Sequence, residues 1–414
     1  MATVTAEVKI EPAAVTVVDL VREAQKWTQK GTGSSPGAPG LSLKTINIRV
    51  FHPSFQELIG DSCKFSLISE SFGNPSRNPF FYKGCAYLLD VDELYTTSDL
   101  LQSTASSRLP TILISKLSFR RSIDVVEPDL ADLESEESPP AGSPTTSSPV
   151  VGVEWMKLRP PPSMPMPSGA IPYKKGVLFC SQGTLHDPAS GGLFYMPRAH
   201  RPIPLVTGYF GKPFNSVQHV VEGATDGALW FTDSAAGHER DIRPHPSLPS
   251  HVYWFQPRTG ELRVVADGLA RPSGIALSPR EDVLYVSDTE AARPGNSKAS
   301  TSSATIYAYD ILKSSGPGQA TFLANKRVFS FAFSGVPASL LCDDDDDGAG
   351  GNVYAACADG VEVWNAAGTA LGVIDIPGGC SSLCFGRRGE LFVCGGQNLW
   401  RIQLERNVCG SRRE

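Results

Sequence analysis

Asp343 to Asp347 is the densest run of chemically competent side chains in this chain, five consecutive carboxylates followed by Gly348. Carboxylates can hold a hard cation, but the ligands must converge, and consecutive residues point apart. The run therefore reads as a solvated acidic turn. The nine cysteines are the next candidates. Their number is odd, and a spacing such as Cys380-Ser-Ser-Leu-Cys384 matches no zinc pattern. They read as small buried hydrophobes of a reducing compartment. No GxSxG elbow, P-loop or HExxH helix occurs. Any chemistry must come from single side chains that the fold assembles from distant positions.

The elements available for that assembly are strands. From about Ile46 onward, short segments rich in Val, Ile, Tyr and Phe alternate with Gly, Pro, Asp and Asn turns, as at Ala228–Phe231, Leu284–Val286 and Val353–Ala356. This texture predicts an all-β domain. Units of one loose form, ALWFTD, VLYVSD, NVYAAC and ELFVCG, recur every few tens of residues. Such recurrence suggests propeller blades, with a pair of β-sandwiches left open. Aromatic residues within the strands, Trp155, Tyr173, Trp230 and Trp254, read as core. Ahead of the strands, residues 1–45 form an extension. The apolar spacing of Val18, Val21 and Ala24 predicts a short helix within Val15–Trp27, and GTGSSPGAPG after it is a flexible linker. Residues 124–150, acidic and then Pro/Ser-rich, read as a disordered insertion. Residues 290–304 read as a second polar loop.

Composition narrows the function. The net charge of −6 and a pI near 5.7 exclude the clustered positive charge that nucleic-acid binding needs. No apolar run is long enough for a transmembrane helix. The start, MATVTAEVKIEP, lacks the basic and apolar regions of a secretory signal, so a cytoplasmic location is expected.

The stretch from Phe214 to Thr289, FNSVQHVVEGATDGALWFTDS…HVYWFQPRTGELRVVADGLARPSGIALSPREDVLYVSDT, resembles the gluconolactonase/SMP-30 superfamily, and within it the fungal lactonohydrolase-like branch. The resemblance runs from roughly Val50 to Leu404. It implies a six-bladed β-propeller over residues 46–410, with a divalent metal held in the central channel by a Glu, an Asn and an Asp. Here NPFFYKGCAY places Tyr82 at the family's His and Lys83 at its Glu. The run Asn215-Ser216-Val217-Gln218-His219 stands where the family has Asn-Ser-Val-Asn-Asp. Arg271-Pro272-Ser273-Gly274 carries a hydroxyl at the ligand Asn, and Gly335-Val336-Pro337-Ala338-Ser339 has lost the ligand Asp. An ammonium offers a cation no lone pair and repels it, so no catalytic metal and no other cofactor is expected.

The replacements give the channel a fixed cation, an imidazole that ordinarily titrates near neutrality, an amide and a hydroxyl. That set can protonate a leaving group and hold a phenolate or carbonyl oxygen. Lys83 and His219 are the candidate catalytic residues; Tyr82, Asn215, Gln218 and Ser273 are the candidate substrate-binding ones. The chain also resembles the fungal hetero-Diels–Alderases of tropolone-sesquiterpenoid pathways. That likeness implies a metal-independent cyclase joining a tropolone o-quinone methide, made by dehydrating a benzylic alcohol, to a humulene-type olefin. Its partners are then small molecules only. The alternatives are a metal-dependent lactone hydrolase and a non-catalytic small-molecule-binding propeller. One disulfide near the propeller closure is left open.

Overall fold

The computed structural model describes residues 3–7, 9–11, 13–17, 46–60, 63–70, 80–101, 110–121, 150–298, 301–313, 320–344, 351–405, 408 and 410. They form a six-bladed β-propeller, each blade built on four antiparallel strands, the first of which lines the central channel. Blade 1 runs Lys83–Leu88, Glu93–Thr97, Ile114–Arg121 and Val150–Leu158. Blade 2 runs Pro167–Tyr173, Gly176–Gln182, Gly191–Pro197 and Ile203–Val206. Blade 3 comprises Val217–Glu222, Leu229–Asp233, His251–Gln256 and Glu261–Ala266. Blade 4 comprises Pro272–Leu277, Val283–Asp288, Thr305–Lys313 and Thr321–Phe331. Blade 5 starts with Ser339–Cys342, Val353–Ala356, Gly360–Trp364 and Ala370–Asp375. It is extended by Ile46–Val50, which pairs antiparallel with Ala370–Asp375. Blade 6 takes three strands from the C-terminal end, Ser382–Phe385, Glu390–Gly395 and Asn398–Gln403. Its fourth strand is the distant Lys64–Glu70, with Lys9–Glu11 paired outside it. The ring is thus closed by strands from both ends of the chain.

Second strands explain why the sequence shows apolar runs rather than clean alternation. Gly176–Gln182, Leu229–Asp233 and Glu390–Gly395 are buried along their whole length, because blades pack on both of their faces. Only outer strands such as Thr321–Phe331 are substantially exposed. The core is accordingly split, with one apolar cluster at each of the six blade junctions among the described residues. Trp155, Tyr173, Trp230 and Trp254 belong to these clusters, as their strand positions indicate. The short helix Ser54–Ile59 buries Phe55 and Ile59 against blade 5. It sits so close that a Cβ on Gly372 would meet the Phe55 ring at 2.2 Å.

The extension differs from the sequence expectation. Ala13–Val17 is a strand, parallel to Ile46–Val50, so the first three residues of the expected helix, Val15 to Val17, are extended. β-Branched Val-Thr-Val favours that state. The rest of that segment lies outside the described residues, as does the 124–150 insertion except Val150, which opens the last strand of blade 1. The acidic run is not uniformly solvated. Asp343 is 3% exposed. It accepts bonds from Asn352 Nδ2 at 2.8 Å and the Tyr354 hydroxyl at 2.9 Å.

A buried ionic staple joins blades 1 and 6. Glu390 Oε1 accepts from Arg121 Nη1 at 2.6 Å and from Arg401 Nε at 2.8 Å, and Oε2 accepts from Arg121 Nη2 at 3.0 Å. Burial alone would raise the Glu390 pKa, but the two guanidiniums hold it below the usual carboxylate value. Glu390→Gln leaves the buried Arg401 guanidinium without a carboxylate partner, while Arg121 keeps Asp92. It is expected to cost about 3–5 kcal/mol in urea unfolding; a loss under about 1 kcal/mol would show that the staple contributes no more than a surface pair.

Candidate active site

The first strands of blades 1 to 4 enter the channel through a short irregularity in their pairing. The register shifts between Lys83 and Cys85 in blade 1, Pro167 and Ala170 in blade 2, Val217 and Val220 in blade 3, and Pro272 and Ile275 in blade 4. The residues released from regular pairing are Gly84, Ser168-Gly169, Gln218-His219 and Ser273-Gly274. Ala338 lies immediately before the first strand of blade 5. Glycine at the second position lets neighbouring first strands approach. A Cβ on Gly169 would meet the Gln218 carbonyl oxygen at 2.3 Å, and one on Gly274 would meet Leu340 at 3.0 Å. Blade 3 puts His219 where its neighbours have glycine.

Lys83 and Gln218 meet, although 135 positions separate them. Lys83 Nζ donates to Gln218 Oε1 at 2.8 Å. The chain of bonds continues as Gln218 Nε2 donates to Ser216 Oγ at 2.8 Å and Ser216 Oγ donates to Gln182 Oε1 at 3.0 Å. Lys83 has no carboxylate within ion-pair distance among the described residues, and Gln218 meets it as a neutral amide. Burial, reinforced by the charges of Arg271 and Arg240, lowers its pKa from 10.5 to about 7. Yet the side chain is not sealed: Tyr82 and Lys83 are both only half-buried, as expected for residues lining a channel.

His219 is 8% exposed, and its Nε2 is buried with no hydrogen-bond partner. Burial first, then the Lys83 charge, lowers its pKa from 6.5 to about 3. The imidazole is neutral at physiological pH rather than titrating there, as its residue type alone would indicate. Ser273 Oγ donates to the Ala338 carbonyl at 3.0 Å, which places those two positions side by side. Asn215 is committed elsewhere: its Nδ2 donates to Leu248 O at 2.8 Å and its Oδ1 accepts from Ser247 N at 3.2 Å. Asp233 caps its own blade, accepting from the Asn215 and Ser216 N–H groups at 2.9 and 2.6 Å. Asp288 repeats that role in blade 4.

The mouth above Lys83 is built by residues the sequence did not single out. Arg271 Nε donates to Glu239 at 2.7 Å, Arg293 Nε lies 3.1 Å from the same carboxylate, and Arg240 pairs with Asp99. Arg293 belongs to the 290–304 loop, which is therefore tied to the channel face. Burial raises the Tyr82 pKa, helped by Asp99 and opposed by Arg240 and Arg271. Beside this polar ring, Leu100, Ile112, Met166 and Ile242 pack the loops of blades 1, 2 and 3 together.

A divalent metal of the kind the family resemblance implies does not fit these residues. The channel positions offer an ammonium, an amide whose oxygen already accepts from Lys83, a hydroxyl turned onto a carbonyl, and a methyl group. Asp233 is spent on backbone N–H groups and Asp99 on Arg240. Among the described residues, no group of three or more His, Cys, Asp or Glu side chains converges.

Comparison with known proteins agrees with the architecture. Residues 221–396 match the family described as SMP-30/Gluconolactonase/LRE-like region. A gluconolactonase of Zymomonas mobilis is 29% identical over 281 residues, covering 64% of this chain and 74% of that protein. Lactonohydrolase oryL of Aspergillus oryzae is 27% identical over 175 residues, 38% of this chain and 39% of its own length. Among solved structures, a gluconolactonase from Xanthomonas campestris superposes with a TM-score of 0.60 at 22% identity, covering 86% of this chain and 94% of that one. At that identity the likeness speaks for the fold.

Proposed function

We propose that this chain, similar to the SMP-30/gluconolactonase/LRE-like family over residues 221–396, is an enzyme whose channel activates a substrate oxygen with Lys83 instead of a metal. The observation that supports this most strongly is the position of Lys83: in the channel, hydrogen-bonded to Gln218, without an acidic partner. A group with a pKa of about 7 exists in both protonation states at neutral pH, which suits an acid that must also act as a base.

The reaction best matched to that equipment is formation and capture of an o-quinone methide. Lys83 ammonium gives its proton to the benzylic hydroxyl of a tropolone substrate. The benzylic C–O bond breaks and water leaves. The Lys83 amine then takes the proton of the adjacent ring hydroxyl, which restores the ammonium and leaves the neutral heterodiene. Cycloaddition with a humulene-type olefin forms one C–C and one C–O bond and needs no further proton. The neighbouring oxygens of a tropolone suit a mouth carrying Lys83, Arg240 and Arg271. Holding the two partners in a reactive pose supplies the rest, at best about 7–11 kcal/mol of the barrier.

Lactone opening is the second reading, favoured by the activities named for the relatives and by the polar mouth. Here the Lys83 amine takes a proton from water as the water adds to the carbonyl, and returns it to the ring oxygen as the C–O bond breaks. His219, neutral down to about pH 3, serves in either case as an uncharged wall or acceptor.

Product analysis separates the two. The protein is offered an aldonolactone and, separately, a benzylic-alcohol tropolone with humulene, each with excess EDTA. Adduct formation with a single stereochemical outcome supports the cyclase. Chelator-resistant lactone hydrolysis without adduct supports lactone opening by Lys83. Inactivity of the lysine variant Lys83→Met in whichever reaction is found supports the shared step, and unchanged activity refutes it.

A further inference from the structure

The junction of blades 6 and 1 has a feature unrelated to the channel chemistry. Its facing strands, Ser382–Phe385 and Lys83–Leu88, are brought together only by ring closure. Backbone bonds cross it between Phe81 and Gly396, and the Glu390 staple crosses it near one end. In its apolar centre, Cys85 Sγ lies 3.1 Å from Cys384 Sγ across 299 positions of sequence. Cys394, on the strand paired with Ser382–Phe385, hydrogen-bonds the same Cys85 sulfur. The three are 5%, 7% and 0% exposed, packed among Phe81, Tyr87, Phe392 and Leu399. The other described cysteines are not paired in this way; Cys380 Sγ, for example, is turned onto the Gly360 carbonyl at 3.0 Å.

We propose that Cys85 and Cys384 are a disulfide-forming pair that seals the first blade to the last. A disulfide requires sulfurs about 2.05 Å apart, so closing the present gap needs a movement of about 1 Å, within the range of small side-chain rotations. The oxidant is a small-molecule disulfide such as oxidised glutathione. One cysteine thiolate attacks it, displacing one small thiol and leaving a mixed disulfide. The second cysteine attacks the protein-bound sulfur and displaces the second small thiol. The protein loses two protons and two electrons, and the small disulfide gains them. Burial raises the Cys85 thiol well above its ordinary pKa, so the exchange is slow in the closed ring and proceeds when the junction opens. Once made, the bond joins segments from opposite ends of the chain, the arrangement in which a crosslink restricts the unfolded state most.

The test uses the full chain incubated for hours with oxidised glutathione, quenched in acid, alkylated under denaturing conditions and mapped by mass spectrometry without reduction. The expected result is a peptide pair joined through Cys85 and Cys384, loss of two alkylatable thiols, and a melting temperature several degrees higher that dithiothreitol reverses. Cys63→Ser should keep the rise and Cys384→Ser should lose it. Full alkylation of both cysteines, glutathione adducts alone, or a link confined to Cys384 and Cys394 within blade 6 would overturn the proposal. The peptide map of the unmutated protein decides the matter even if a variant fails to fold.

Discussion

Lys83→Met is expected to remove turnover and, at the same time, to make the protein more stable. Loss of a proton-transferring group typically costs about 10²–10⁴-fold in rate. The stability gain follows from linkage. Lys83 titrates at about 7 in the folded protein and near 10.5 when unfolded. Between those values the unfolded chain binds the extra proton, so stability rises with pH across the window. Read downward, the contribution is fully present above about pH 10.5 and is lost as pH falls through about 7. At pH 6 the folded protein therefore carries the whole penalty of a buried ammonium, on the order of 3–5 kcal/mol as an upper bound. Methionine fills similar volume without the charge. Urea unfolding from pH 6 to 10 should show the variant ahead of the parent by a margin that shrinks with rising pH. A variant less stable at pH 6, or a margin that does not change with pH, would mean that Lys83 is not held in a charge-penalising site.

Building the donor set that the family resemblance implies is the second large effect expected. Lys83→Glu, Ser273→Asn and Ala338→Asp combined would replace the ammonium, the hydroxyl and the methyl group with two carboxylates and an amide. Positions 273 and 338 adjoin, since Ser273 Oγ bonds the Ala338 carbonyl. Position 83 stands on another first strand facing the same channel, in contact with Gln218. Oxygen donors converging in this way suit Ca²⁺ or Mn²⁺. Calorimetric titration should change from no measurable binding in the parent to a Kd of about 10⁻⁶–10⁻⁴ M in the triple variant. No binding by a folded triple variant would show that these positions do not share one cation-sized space, and the account of the site would fall with it.

Much of this protein was legible in its sequence. The strand texture and recurring units gave the all-β reading, and the Phe214–Thr289 stretch gave the propeller. The sequence also singled out Lys83, Gln218, Ser273 and Ala338, and in the structure Lys83 meets Gln218 and Ser273 meets Ala338. Several features were not readable, for physical reasons. Asp99 and Arg240 pair across 141 positions in loops of different blades, and no local spacing announces such a contact. Arg271 was visible inside its Arg-Pro-Ser-Gly run, but its partner Glu239 is in another blade. The pKa of His219 depends on burial, which residue type does not reveal. Asn215 looks like a channel residue until its amide is traced to the backbone at Ser247 and Leu248. The helix expected from Val15 fails at its start because strand pairing with Ile46–Val50 outweighs a weak apolar periodicity.

The central claim is that Lys83, and not a metal, performs the chemistry. Its most direct test is turnover by exhaustively chelated protein, measured across pH and again after adding back Ca²⁺, Mn²⁺ and Zn²⁺. The account predicts a rate unchanged by chelation and by every added ion, with an inflection near pH 7. A rate that vanishes on chelation and returns with one of the ions would contradict it.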